Sequence, residues 1–178
     1  MMEKQLSVFQ NDFDLASLEL NHRIKTDIQR YFEATKYSLV TTESITKGLL
    51  AHSVSDLVPK AQNMGGIVCD GNLSYKSLCQ LSGRAIPALP NAEFASELAK
   101  HMADQTQANV SISLLGIIGI PKDNVLSSKI FIGYCFNNNV AVKMLELSGT
   151  MMSIFNQSIL AALGFLQTLF LKYTKAAN

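Results

Sequence analysis

The chain has 178 residues, a length typical of a single domain that buries a sizeable core without disulfide bonds. Its 15 Lys and Arg residues against 14 Asp and Glu give a net charge of +1, which argues against the basic surface of a nucleic-acid-binding protein. The three cysteines are widely spaced without a C-x-x-C pair, which favours a reducing compartment, the cytoplasm, and argues against a cysteine metal site.

Hydrophobic periodicity predicts helices and strands in alternation. Residues 1–17 have weak periodicity and are predicted to be an extension, with residues 18–178 forming one domain. The predicted helices are Leu18–Phe32, Thr46–Ser55, Leu73–Leu81, Ala92–Gln105 and Met152–Tyr173. The predicted strands are Tyr37–Thr42, Gly65–Cys69, Val110–Leu115, Lys129–Phe136 and Val140–Leu147, the last two joined in a hairpin by Asn137-Asn138-Asn139. This order predicts a three-layer α/β/α sandwich with a mixed, mostly parallel central sheet.

The final helix lies in the most apolar region, Met151–Leu171, but it does not have the pattern of a membrane span. Polar residues interrupt the region, and its longest clean apolar run falls well short of the about 18 residues that a spanning helix needs. We therefore expect a helix buried in the core or packed against another subunit. The N-terminus lacks the basic start and apolar run of a signal peptide, so we do not expect secretion.

The most informative segment is Glu43–Gly48, which crosses from the first predicted strand to the next helix. The first N–H groups of a helix have no helical partners, so such a crossing can hold an anion or expose a nucleophile. Ser44 is accordingly either a nucleophile or a helix N-cap, a common role for serine. Glu43 either holds the neighbouring backbone or is a solvated carboxylate.

Three segments in this order resemble the C-terminal domain of the CinA family, the nicotinamide-nucleotide amidases. Glu43–Gly48 is similar to the family's Glu-Ser-Cys-Thr-Gly-Gly, Gly65–Asn72 to Gly-Gly-Val-Val-x-Tyr-x-Asn, and Gly116–Gly119 to part of Thr-Gly-Ile-Ala-Gly-Pro. Leu98–Ala103 adds a weaker match. The resemblance implies a three-layer α/β domain that commonly self-associates, related to enzymes that hydrolyse the carboxamide of nicotinamide mononucleotide to the acid and ammonia.

The resemblance also implies three catalytic positions, and one of them keeps the family residue. Ser44 stands at the nucleophile, whereas the family tyrosine falls on Asp70 and the family lysine on Tyr75. Lys47 is an alternative base if it shares the first helical turn with Ser44, because Ser-x-x-Lys is a known nucleophile–base spacing. A solvated lysine is the simpler interpretation. The candidate ligand-binding residues are Glu43, Thr46, Gly48, Asn72, Gly116 and Gly119.

Several of these candidates have ordinary structural interpretations as well. Asp70 is a weak base unless it is buried, and most such aspartates are turn residues. Asn72 is equally suited to capping the next helix. Gly116 and Gly119 can offer backbone N–H groups to an anion, but a G-x-x-G pattern is common in loops.

Further family positions have lost polarity or charge in this chain. The threonine and proline that flank the glycine loop are Leu115 and Ile120, the family's Gly-Asp-Arg is Gly149-Thr150-Met151, and a second arginine is Phe155. Arginine suits a nucleotide phosphate because its guanidinium binds phosphate through two parallel hydrogen bonds. The chain therefore lacks the phosphate anchor that the resemblance implies.

We therefore predict a divergent family member with impaired or lost amidase activity and a retained binding or scaffold role. The alternative is an active amidohydrolase that uses Ser44 on nicotinamide mononucleotide or a related small amide. The expected partners are a small nucleotide-like ligand and further copies of the chain, with no nucleic acid, membrane or cofactor. No metal site is predicted, because the three histidines lack neighbours at metal-ligand spacing.

Overall fold

The computed structural model describes residues 22–69, 89–122 and 125–175. Helix α1 covers residues 22–35. It is followed by β1 (Leu39–Glu43), α2 (Leu49–Ser55), β2 (Asn63–Val68), α3 (Ala92–Thr106), β3 (Val110–Ile118), β4 (Leu126–Phe136), β5 (Asn139–Gly149) and α4 (Met151–Lys175). The predicted extension over residues 1–17 and the predicted helix Leu73–Leu81 lie outside the described residues.

The strands form one mixed sheet in the order β2-β1-β3-β4-β5. β1 pairs in parallel with both β2 and β3, whereas β3, β4 and β5 pair antiparallel. The predicted hairpin between β4 and β5 is present, and its Asn137 and Asn138 have φ values of 43° and 68°. Asparagine tolerates this left-handed region better than most residues. The predicted mixed sheet is confirmed, with two parallel and two antiparallel pairings.

Helices cover both faces of this sheet. On one face, α1, α2 and α4 pack on the strands around buried residues such as Phe32, Leu50 and Leu163. On the other face, which we call the α3 face, α3 packs Phe94 and Leu98 into a second core cluster. The predicted three-layer α/β/α arrangement is therefore confirmed.

α4 contains a segment, Met151–Tyr173, that is long and apolar enough to cross a membrane. In this fold the helix packs on the sheet, where Ile154, Leu163 and Leu166 are at most 1% exposed. The buried hydroxyl of Tyr134 in β4 donates a hydrogen bond to the Ala162 carbonyl at 2.8 Å. Burial raises the pKa of Tyr134 well above its usual value, so this group stays a protonated donor. The helix therefore packs in the core, which is one of the two predicted placements.

α3 lies unusually close to the sheet because Gly133 in β4 has no side chain. A Cβ on Gly133 would lie 2.1 Å from the Ala95 carbonyl oxygen, the same oxygen that accepts a hydrogen bond from Ser113 Oγ. Further along α3, Ala99 and Ala103 pack on Cys135. α3 therefore runs antiparallel to β3, and its N-terminus points towards the C-terminal ends of β1 and β3.

Candidate ligand site at the ends of β1 and β3

Ser44 lies at the point of the sheet where the direction of strand addition reverses. The chain passes from β1 to β2 on one side, and later returns to place β3 on the other side of β1. The intervening helices, α2 and α3, lie on opposite faces. In open α/β sheets this reversal leaves a crevice at the carboxyl ends of the strands, where ligands bind. Ser44 directly follows the carboxyl end of β1.

Glu43 anchors the loop that carries Ser44. Its side chain is completely buried, and its carboxylate accepts hydrogen bonds from Thr46 Oγ1 at 2.5 Å, from the Leu50 N–H at 3.1 Å and from the Ala51 N–H at 2.8 Å. The two backbone donors belong to the first turn of α2, whose N–H groups have no helical partners. Glu43 thus holds neighbouring backbone, as one of the two interpretations predicted. The solvated alternative is wrong.

α2 begins at Leu49, three residues later than predicted. The reason is the backbone of Lys47 and Gly48, whose φ values of 52° and 98° are left-handed and interrupt helical geometry. Gly48 occupies the N-cap position, where no side chain makes a capping hydrogen bond. The prediction of a helix start at Thr46 is therefore wrong.

Two interpretations of Ser44 depend on that helix start, and both are corrected. Ser44 does not cap α2, because the carboxylate of Glu43 takes the donors that a capping hydroxyl would use. Lys47 is exposed and precedes the helix, so it does not share a first helical turn with Ser44. Of the two interpretations of Lys47, a solvated side chain fits this exposed position better.

The Ser44 hydroxyl is buried and has no hydrogen-bond partner among the described residues. Its backbone N–H continues the β1 ladder by donating to the Leu114 carbonyl at 3.0 Å. Because side chains alternate along a strand and Glu43 faces α2, Ser44 faces the opposite side of the sheet, the α3 face. An unpaired buried hydroxyl costs about 1–3 kcal/mol. Thr41, Thr42 and Ser111 share this feature within the described residues, so Ser44 is a candidate because of its place at the carboxyl end of β1 as well.

The backbone N–H groups of the two candidate glycines, Gly116 in β3 and Gly119 just after it, differ in their hydrogen bonding. The Gly119 N–H donates to the Ser127 carbonyl at 2.8 Å, so the prediction that it is open to an anion is wrong. Backbone groups alternate between the two edges of a strand. The Gly116 N–H therefore lies on the same edge of β3 as the Leu114 carbonyl, which accepts a hydrogen bond from the Ser44 N–H. At Gly116, β3 extends past the end of β1. A Cβ on Gly116 would lie 2.9 Å from Ile45 Cδ1, so this glycine also makes room for the loop.

Three sequence-predicted site residues, Asp70, Asn72 and Tyr75, lie outside the described residues. Two positions that the resemblance links to arginine are Met151 and Phe155. Phe155 is 5% exposed in the core beneath α4, whereas Met151 is 40% exposed. Neither side chain can bind a phosphate through charge.

Within the described part of the chain, no group of three or more His, Cys, Asp or Glu side chains is placed to hold a metal ion. Cys69 and Cys135 are buried and form no disulfide bond with each other. Burial raises the pKa of the Cys135 thiol, which disfavours the thiolate needed for nucleophilic or metal-binding chemistry.

A depression at the same end of the sheet was not predicted from the sequence. Its volume is about 430 Å³, and its lining residues are Ile117, Gly119, Ser127, Ser128, Lys129, Glu146, Leu147 and Ser148. Lys129 Nζ lies 3.8 Å from Glu146 Oε1 across β4 and β5. The available signal was polar residues at every second position, Ser127 and Lys129 on one strand and Glu146 and Ser148 on the next.

The fold and this site define an α/β protein with a candidate ligand site at the carboxyl ends of its parallel strands. The model of the CinA C-terminal domain family matches residues 21–170. The chain therefore belongs to the CinA family, as the sequence motifs predicted.

Two curated relatives are named competence-damage inducible protein. The one from Thermoanaerobacter sp. (strain X514) is 27% identical over 144 residues, 76% of this chain and 34% of the relative. The one from Thermoanaerobacter pseudethanolicus is 28% identical over 142 residues, 75% of this chain and 34% of the relative. The chain thus spans about a third of the length of these relatives.

Solved structures show the same fold. A competence-damaged protein (CinA) superfamily protein from Klebsiella pneumoniae superposes with a TM-score of 0.71 and 17% identity, covering 85% of this chain and 98% of that chain. The competence/damage inducible protein CihA from Agrobacterium tumefaciens gives a TM-score of 0.66 and 20% identity, covering 85% and 93% of the two chains.

Proposed function

We propose that this protein binds a small nucleotide-like amide at the carboxyl ends of β1 and β3, and that its amidase activity is impaired or lost. The Ser44 hydroxyl carries the proposal, since it is buried at this site and no described residue accepts its proton. A serine hydrolyses an amide only when a base removes its proton and donors hold the developing oxyanion. With no proton acceptor for Ser44 among the described residues, we expect the site to bind an amide without cleaving it efficiently.

The substituted family positions support the same proposal. The tyrosine and lysine that the family resemblance places beside the serine are Asp70 and Tyr75 in this chain. Members of a nucleophilic unit act jointly, and removing a single member costs several orders of magnitude in rate. Self-association and a cytoplasmic location stay predictions, drawn from the resemblance and from the cysteine pattern.

An active amidohydrolase is the second candidate, and one observation favours it. Ser44 is released from the capping role that most often explains a serine at a helix start, because Glu43 serves α2 instead. The Gly116 N–H, on the edge of β3 beyond β1, is a candidate oxyanion donor. In this candidate, the Ser44 oxygen attacks the carboxamide carbon, the C–N bond breaks, and the nitrogen takes up the hydroxyl proton and leaves as ammonia. Water then hydrolyses the acyl-serine ester to the acid and restores the serine hydroxyl.

Ammonia release from nicotinamide mononucleotide separates the two candidates. We expect turnover far below the about 1 per second of an ordinary enzyme, and no further loss in Ser44→Ala. We also expect calorimetry to show binding of the mononucleotide. Ser96→Ala is the matched control, because the Ser96 hydroxyl bonds only within its own exposed helical turn. Turnover near 1 per second that Ser44→Ala abolishes would establish the amidohydrolase, and absence of binding would overturn the proposed function.

A further inference from the structure

The depression around Lys129 lies on the same face of the sheet as Ser44. Ser44 extends β1 beside Leu115, and the next residue of β3 on that face is Ile117. Ile117 is paired with Lys129 on β4, and Lys129 is paired with Glu146 on β5. Paired residues of antiparallel strands project to the same face. The α3 face therefore carries Ser44 at one side and the Lys129–Glu146 pair at the other.

The part of the α3 face formed by β4 and β5 is exposed at this end, at Lys129 and Glu146. Ala95, in the first turn of α3, lies over Gly133, and Lys129 lies four residues before Gly133 on β4, beyond the helix N-terminus. The side chains of Lys129 and Glu146 are 67% and 80% exposed. A Cβ on Gly119 would lie 2.7 Å from Ser127 Oγ, so the glycine leaves the serine hydroxyl room within the depression.

The separation of the two groups suits a small nucleotide. Strand spacing of about 4.8 Å and a rise of about 3.4 Å per residue place the Lys129 Cα about 12 Å from the Ser44 Cα. The lysine side chain shortens the gap, because it is long and flexible. A ligand whose carboxamide lies at Ser44 can therefore reach the Lys129 ammonium group with its other end. In a pyridine mononucleotide, that end is the phosphate.

We propose that Lys129 binds the phosphate end of the ligand. It does so in place of the two family arginines, whose positions are Met151 and Phe155 in this chain. The ammonium group supplies the charge, and the hydroxyls of Ser127 and Ser148 supply hydrogen bonds. The positive end of the α3 dipole points towards the same end of the sheet. This inference rests on the proposed function. It adds that the depression around Lys129 binds the phosphate of the ligand.

The Glu146 carboxylate competes with the phosphate for Lys129 and so lowers the affinity for the phosphate. Its carboxylate pairs with Lys129 at 3.8 Å and repels a phosphate that approaches the same ammonium group. An exposed ion pair contributes little, so the phosphate can replace the carboxylate as the partner of Lys129. The pair therefore has a testable signature, since removing its two charges changes phosphate affinity in opposite directions.

Calorimetry with nicotinamide mononucleotide and with nicotinamide riboside, which lacks the phosphate, tests this assignment on the full chain. We expect Lys129→Gln to weaken binding of the mononucleotide about tenfold and to leave riboside binding unchanged. We expect Glu146→Gln to strengthen mononucleotide binding about threefold. Lys143→Gln is the matched control, because the Lys143 ammonium lies over the Phe165 ring of α4, on the opposite face of the sheet.

The outcomes separate this inference from the proposed function. If the wild type binds both compounds equally and Lys129→Gln changes neither affinity, the lysine is only a solvated ion-pair member and the inference is overturned, while the proposed function stands. If the wild type binds neither compound, the proposed function fails and the inference fails with it. Equal weakening by Lys129→Gln and Lys143→Gln would also overturn the inference, because it would indicate a general charge effect.

Discussion

Gly133→Ala is expected to lower the free energy of unfolding by about 3 kcal/mol or more, at the upper end of the cost of overpacking a core. The added Cβ would lie 2.1 Å from the Ala95 carbonyl oxygen and 2.3 Å from its carbonyl carbon. Both atoms belong to helix backbone, so no side-chain rotation relieves the clash. Relief requires the first turn of α3 to move away from β4, which also breaks the hydrogen bond from Ser113. Urea unfolding followed by circular dichroism measures the effect.

Gly164→Ala is the matched control for this prediction. Gly164 lies inside α4, and a Cβ there would meet nothing closer than Ile24 Cδ1 at 3.6 Å, an ordinary contact. Alanine is favoured over glycine in a helix interior by about 0.8–1.0 kcal/mol, so this variant is expected to be at least as stable as the wild type. Similar unfolding midpoints for the two variants would show that α3 does not depend on a bare backbone at Gly133.

Glu43→Ala is expected to destabilise the protein by about 3 kcal/mol or more, since each buried donor left without a partner costs about 1–3 kcal/mol. The carboxylate accepts from Thr46 Oγ1 and from the N–H groups of Leu50 and Ala51, and all three donors lose their acceptor. Glu43→Gln keeps the shape and one acceptor oxygen, so we expect a smaller loss. Denaturant unfolding of the three proteins gives this order.

Glu33→Ala in α1 is the control for a carboxylate that is not buried. Glu33 is exposed and accepts one hydrogen bond, from Gln29 on the same helix, so we expect a change within about 0.5 kcal/mol. If Glu43→Ala were as mild as Glu33→Ala, the carboxylate would not anchor the loop. Glu43→Gln is also expected to weaken mononucleotide binding, because it loosens the loop over residues 44–48. The depression around Lys129 is unchanged in this variant.

The roles of Glu43 and Ser44 are linked by their alternation along β1. Glu43 points to the face that carries α2 and satisfies the start of that helix. Ser44 consequently points to the α3 face, where its hydroxyl is left without a partner among the described residues. The acidic residue before the serine thus leaves the serine hydroxyl without a capping role.

The sequence by itself determined the order of the elements, because periodicity and turn residues are local properties. Within the described residues, the ends of the elements from β1 to α4 fall within three residues of their predicted places. The asparagine turn, the mixed sheet and the burial of α4 were all predictable, and the ordered motifs around Ser44, Gly65 and Gly116 were enough to predict the CinA family.

The tertiary structure alone decided what the site residues do. Glu43 caps a helix whose first turn lies seven and eight residues away, and Lys129 shares a face with Ser44 through two strand pairings. Such relations depend on strand register and on which face each helix covers, and both are settled by packing between distant segments. Local pattern therefore predicted a candidate site at the end of β1, whereas the partners of its polar groups followed only from the assembled sheet.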